Sequence, residues 1–178
     1  MKTIFMKMWL VVAAALTVTL TSCSDDDDNN KSGSDKITYS AEIEVSDDVL
    51  SLATVNLQEY DNSGLLGAST QLTNTKYDWS KTITSYPAKV GLALSIEPKN
   101  QEQTKEKYDI TVVYKVTMKD EKGNMKGAGV DYSKKLTGVK AADVPRILEN
   151  IKRQLTNVKA LVNFNSASDF TQRSKSEF

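Results

Sequence analysis

Few residues in this chain are equipped to do chemistry. Its 178 residues include one cysteine, Cys23, and no histidine. Without an imidazole there is no Ser-His-Asp or Cys-His arrangement and no His-ligated zinc or iron centre. Carboxylates, lysine, tyrosine and serine remain. A pair of carboxylates alone hydrolyses a glycosidic bond when the two converge across it. The candidates are Asp47, Asp48, Asp61, Asp109 and Asp131, most of them in turn sequences or at outward strand positions. Nothing in their spacing brings two together. Ser80 and Lys81 are strand neighbours and point to opposite faces. The stretch from Gly123 to Gly129 lacks the strand-to-helix context and the Lys-Ser ending of a phosphate loop. No cofactor and no metal centre is expected, and a carboxylate-based hydrolase such as a glycosidase is the alternative to a binding function.

Aromatic side chains offer a second chemistry, since sugar rings stack on exposed aromatic faces. Trp79, Tyr60, Tyr86 and Tyr132 are the candidates, with Tyr60 and Tyr86 the expected ligand contacts. Trp79 and Tyr77 sit at alternating strand positions that equally suit the core of a sandwich. Charge excludes another class of partner. The chain has 23 basic and 23 acidic side chains, and the basic ones are scattered, whereas a nucleic-acid binder shows a basic face or stripe.

Cys23 stands at the junction of two kinds of sequence. Before it, Met1 to Lys7 carries two lysines and no acid, and Met8 to Leu20 is an uncharged run rich in Val, Ala and Leu. That run is too short to span a bilayer and reads as a secretory signal. Leu20-Thr21-Ser22-Cys23 resembles the lipobox of bacterial lipoproteins. The resemblance implies cleavage before Cys23 and attachment of lipid to its sulfur, which as a thiolate is the chain's best nucleophile. Ser24 and Asp25, Asp26, Asp27 and Asp28 resemble the serine-plus-acid export signal of surface-exposed lipoproteins in Bacteroidota. That resemblance implies an outer-membrane protein facing the exterior, with the lipoprotein processing and export machinery as partners. Read as residues alone, the acidic block is a solvated tether. It lacks the glycine turn and closing bidentate acid of a calcium loop.

These readings divide the chain into a signal over 1–22, a lipidated tether over 23–36, a folded domain over 37–166 and a polar tail over 167–178. Within the domain, hydrophobic alternation predicts strands over Ile37–Val45, Leu52–Tyr60, Leu65–Leu72, Tyr77–Ile83, Val90–Ile96, Tyr108–Met118 and Met125–Leu136, and a last one from Val158 to Phe164. Ser46-Asp47-Asp48 reads as a turn. Lys81 interrupts an apolar face and places its strand at an edge. Val144, Ile147, Leu148, Ile151 and Leu155 have helical spacing, with Pro145 in the first turn. Short strands with a turn every ten residues or so predict a mainly β fold, an antiparallel immunoglobulin-like β-sandwich of seven or eight strands with one amphipathic helix near the C-terminus, with a small barrel as the alternative. The expected function is a non-catalytic surface module that binds a glycan or protein, or serves an outer-membrane complex.

Overall fold

The computed structural model describes residues 36–126, 129–158 and 160–165. Cys23 and the Ser24 to Asp28 block lie outside them. The described elements are β1 (Ile37–Val45), α1 (Asp47–Leu52), β2 (Ala53–Tyr60), β3 (Leu66–Gln71), β4 (Lys76–Ile83), β5 (Ala88–Pro98), β6 (Lys107–Asp120), β7 (Asp131–Lys140), a 3-10 turn (Ala141–Asp143), α2 (Val144–Thr156) and β8 (Ala160–Phe164). Two four-stranded antiparallel sheets result, β4-β1-β6-β7 and β3-β2-β5-β8. The likeness to immunoglobulin domains is one of architecture, because β1 and β2 lie in different sheets.

Alternation builds the core directly. On β1, Ile37, Tyr39, Ala41, Ile43 and Val45 are buried and the residues between them are not. Tyr108, Ile110, Val112, Tyr114, Val116 and Met118 are likewise buried on β6, joined by Val113, and the Val112–Asp120 stretch of that strand pairs with β1. Val55 and Leu57 on β2, with Leu92, Leu94 and Ile96 on β5, supply the opposing face. Two fully buried phenols cross between the sheets. Tyr39 on β1 donates to the Ala160 carbonyl at 2.6 Å, and Tyr114 on β6 donates to the Leu92 carbonyl at 2.9 Å. Helix α2 closes one side. β8 pairs only with Ala88 to Leu92, so the rest of that edge of β5 would be open, and α2 packs there with Val144, Leu148, Ile151 and Leu155 buried.

Two expected boundaries need correction. Ser46-Asp47-Asp48 is not a turn but the start of α1, with Val49 and Leu52 buried in the core. Ser46 caps it: its hydroxyl accepts the Val49 N–H at 3.4 Å, accepts the Thr111 N–H at 3.1 Å and donates to the Asp109 carbonyl at 2.6 Å. The strand expected over Met125–Leu136 instead runs from Asp131 to Lys140, and Met125 contributes only an isolated bridge to Lys119. Gly129 lies so close to the Val116 carbonyl that no β-carbon fits there, which breaks the regular ladder before β7 begins.

The β6–β7 connection is organised by one carboxylate. Asp120 Oδ1 accepts the N–H groups of Lys122 and Asn124 at 2.9 and 2.8 Å, and Oδ2 accepts the Asn124 amide at 3.0 Å. Lys126 Nζ stands 3.3 Å from Oδ2. Asn124, and after it Lys126, hold the Asp120 carboxyl down at about 2. Because the folded value lies below the unfolded one, this contribution is complete above the ordinary aspartate range and is lost as pH falls toward 2. In a carboxyl-detected NMR titration Asp120 should titrate near 2, and Asn124→Ala should raise its midpoint. A wild-type midpoint near 4 would show that the loop is not built on this carboxylate.

Candidate functional site

The strongest candidate surface is the flank where the two sheets part, between β3 and β4. Both are edge strands, one in each sheet, and they differ in how they are protected. The register sets Tyr77, Trp79 and Lys81 opposite Ile43, Ala41 and Tyr39, so all three share the core-facing side of β4. Lys81 is nonetheless exposed, and Tyr77 and Trp79 are half-buried. An inward-facing lysine on an edge strand discourages pairing with another chain. The Trp79 indole N–H donates to Glu59 Oε1 at 2.8 Å, and its ring meets Tyr39 edge-on with centroids 5.8 Å apart. Trp79 therefore does what a sandwich tryptophan does at the margin of a core, and Glu59 of β2 ties it across the flank.

β3 is a different kind of edge. All six of its residues, Leu66-Gly67-Ala68-Ser69-Thr70-Gln71, are exposed, and none carries a charge. Just before it Leu65 is 67% exposed, and Leu66 is 47% exposed. The turn that precedes them is closed by hydrogen bonds: Asp61 Oδ1 accepts the N–H groups of Ser63 and Leu65 at 2.8 and 2.9 Å, and Gly64 takes a φ of +82°. Lys89 Nζ donates to the Ser63 carbonyl at 3.0 Å. The leucine pair is thus held outward by its own turn.

The aromatic candidates do not form one platform. Tyr60 is half-buried at the end of β2, opposite Leu66 across a bulge in the pairing. Tyr86 is half-buried before a cis Tyr86-Pro87 bond and packs edge-on against Phe164 at 6.4 Å. Tyr132 lies on β7 with its hydroxyl 3.0 Å from Gln154 Oε1 on α2. Burial pushes the Tyr132 phenol up. Tyr60 and Tyr86 do lie toward the same end of β2 and β5, and the leucine pair that sequence reasoning passed over lies beside Tyr60. The two adjacent leucines before a Gly-Ala-Ser-Thr strand were the available signal.

Three of the candidate acids, Asp48, Asp61 and Asp109, are engaged in the scaffold. Asp48 Oδ2 accepts the Asp109 N–H at 2.7 Å and Oδ1 pairs with Lys105. Burial pushes the Asp48 carboxyl up, but Lys105 and the Asp109 N–H outweigh it and leave it below the usual range. Asp109 Oδ1 accepts the Gly138 N–H at 2.9 Å. Asp61 holds its turn, and Asp131 sits opposite Lys115 at the start of β7. Ser80 and Lys81 lie on opposite faces of β4, with Ser80 opposite Ser40. Among the described residues no three metal-ligating side chains converge. The outer face of the β4-β1-β6-β7 sheet carries a shallow groove of 380 Å³ lined by Glu42, Glu44, Lys76, Asp78, Lys115 and Lys135. Its charges are of both signs, and Lys135 meets Glu44 at 2.9 Å. No family model, curated protein or solved structure matches the chain.

Proposed function

We propose that this chain is a non-catalytic surface lipoprotein, anchored in the outer membrane through lipid on Cys23 and exposed to the exterior, whose binding face is the β3 flank. The observation that carries the binding role is β3: an uncharged edge strand exposed at every position, flanked by two leucines held out to solvent. A protein that leaves such an edge bare offers it to a partner. The address rests on the Leu20-Thr21-Ser22-Cys23 and Ser24 to Asp28 sequences. No helix among the described residues is long and apolar enough to cross a membrane. The glycosidase reading finds less support. Of its candidate acids, Asp48 is taken up by Lys105 and the Asp109 N–H, Asp109 by the Gly138 N–H and Asp61 by its own turn.

The test separates address from occupation. Cys23→Ala should move the full chain from the membrane fraction to the soluble one. Replacing Asp25 to Asp28 by alanine should leave it membrane-bound but protected from protease added to intact cells. A quadruple variant that stays protease-accessible would sink the export reading. On a glycan array, binding lost in Tyr60→Ala or Tyr86→Ala but kept in Asp47→Asn would make the partner a sugar. Sugar release that disappears on substitution of Asp48 or Asp109 would overturn the non-catalytic reading.

A further inference from the structure

The two ends of the sandwich are unlike. β1 opens at Ile37, which pairs with Ile83 at the end of β4 and with Asp120 at the end of β6. In the other sheet Ala88 opens β5 opposite Phe164, and Tyr60 closes β2 opposite Leu66. Both sheets share this end. Tyr39, near the start of β1, reaches the Ala160 carbonyl, and Ala160 pairs with Leu92, which in turn pairs with Glu59. Leu65, Leu66 and Met125 are the large apolar side chains exposed among the described residues, at 67%, 47% and 54%. All three stand here, the leucines just past β2 and Met125 in the loop just past β6. Lys36 and Lys126 stand here too, paired with Glu121 and Asp120 at 3.4 and 3.3 Å, and Lys122 is the exposed cation between them.

We propose that this end rests on the membrane that holds the lipid of Cys23, with Leu65, Leu66 and Met125 set into its headgroup layer. The inference depends on the anchor proposed above and gives the leucine end of the β3 flank its partner, a bilayer surface. Chain order is the observation that favours a membrane. The segment that joins Cys23 to the domain enters it at Lys36, and its dozen or so residues span at most about 45 Å. A lipid on Cys23 therefore keeps the bilayer within reach of this end, at high effective concentration. Met125 argues the same way. It follows a strand of the other sheet, so a foreign strand added to β3 would leave it bare, whereas one broad surface meets it and the leucines together. Tyr60 and Tyr86 are half-buried at this end, and amphipathic rings of that kind suit a membrane boundary. Lys122 adds a cation for headgroup phosphate. Apolar and basic contacts beside a lipid supply the second signal that makes lipid anchoring firm.

The experiment uses the lipidated protein, purified from membranes and reconstituted into vesicles of phosphatidylethanolamine and phosphatidylglycerol that carry a nitroxide on the headgroup. Cys23 is the sole native thiol and the lipid occupies it, so Ser85→Cys at this end, or Thr104→Cys at the other, takes one fluorophore. Tethering alone brings Ser85 nearer the bilayer than Thr104, so the deciding variant keeps the tether. Leu65→Ser/Leu66→Ser/Met125→Ser should lower nitroxide quenching at Ser85 at least about twofold, because those side chains supply the apolar area that docks. Circular dichroism and the membrane-bound fraction should not change, since all three side chains are exposed. Leu65→Ser/Met125→Ser leaves every strand intact and should show a smaller fall of the same kind. Quenching at Ser85 that both variants leave unaltered overturns the docking. So does equal quenching at Ser85 and Thr104. Either result in protein that Cys23→Ala releases from membranes removes the docking and leaves the anchor standing. Wild-type protein that never enters the membrane fraction removes both.

Discussion

Leu148→Ala should lower the free energy of unfolding by about 2–5 kcal/mol, the range for emptying a buried leucine site. Leu148 is 2% exposed, on the face of α2 that also buries Val144, Ile151 and Leu155. The helix stands where β8 stops. Beyond Leu92 one edge of β5 has no strand partner among the described residues, and the side chains of α2 cover it. A strand would have held its place through backbone bonds that no side-chain truncation touches. The helix has only its apolar stripe and a few polar contacts, such as Lys152 to Glu97 at 2.6 Å, which is too exposed to matter much. Glu149→Ala, on the exposed side, should change stability by only a few tenths of a kcal/mol. Urea melts of the two variants measure the difference. A loss below about 1 kcal/mol for Leu148→Ala would mean that the helix rides on the sandwich rather than closing it.

How much of this was readable beforehand depended on how many residues an element had to declare itself. β1 was legible to the residue, because its nine positions alternate without interruption, and β6 nearly so, with Val113 the one buried residue out of step. α2 was equally plain from four buried positions at helical spacing. α1 was not, since six residues hold too few turns for a period to appear. Its signal lay in the Ser46 cap, the acids of the first turn and the spacing of Val49 and Leu52. The limits of β7 were hidden because they are set by contact, not by propensity: Gly129 yields to the Val116 backbone, and Val139 finds Tyr108. For the candidate site, the inward Lys81 announced an edge. The bareness of β3 could not be foreseen, because exposure on both faces depends on what the other sheet fails to cover. The acids illustrate the converse. Asp48, Asp109 and Asp120 were visible as residues, but their use in holding backbone N–H groups appears only once the loops are assembled.

Tyr39→Phe and Tyr114→Phe should each cost about 1–3 kcal/mol, the penalty for stranding a buried polar partner. Both phenols come from the β4-β1-β6-β7 sheet and reach carbonyls of the other one. Their acceptors, Ala160 and Leu92, are register partners at the point where the β5–β8 ladder ends. The hydroxyls are close enough to interact with each other, so the losses should not add. The double variant should fall short of the sum by at least about 0.5 kcal/mol, as neighbours in one network do. Alkali provides an independent readout. Burial is the main reason that both phenols are pushed far above the ordinary tyrosine range. With folded values above the unfolded one, their contribution is intact below about pH 10 and drains away as the unfolded chain ionises above it. Wild-type protein should therefore lose stability steeply above pH 10, and the double phenylalanine variant, though weaker at neutral pH, should lose less over the same interval. If the two alkaline slopes coincide, the phenols are not what joins the sheets at the end of that ladder.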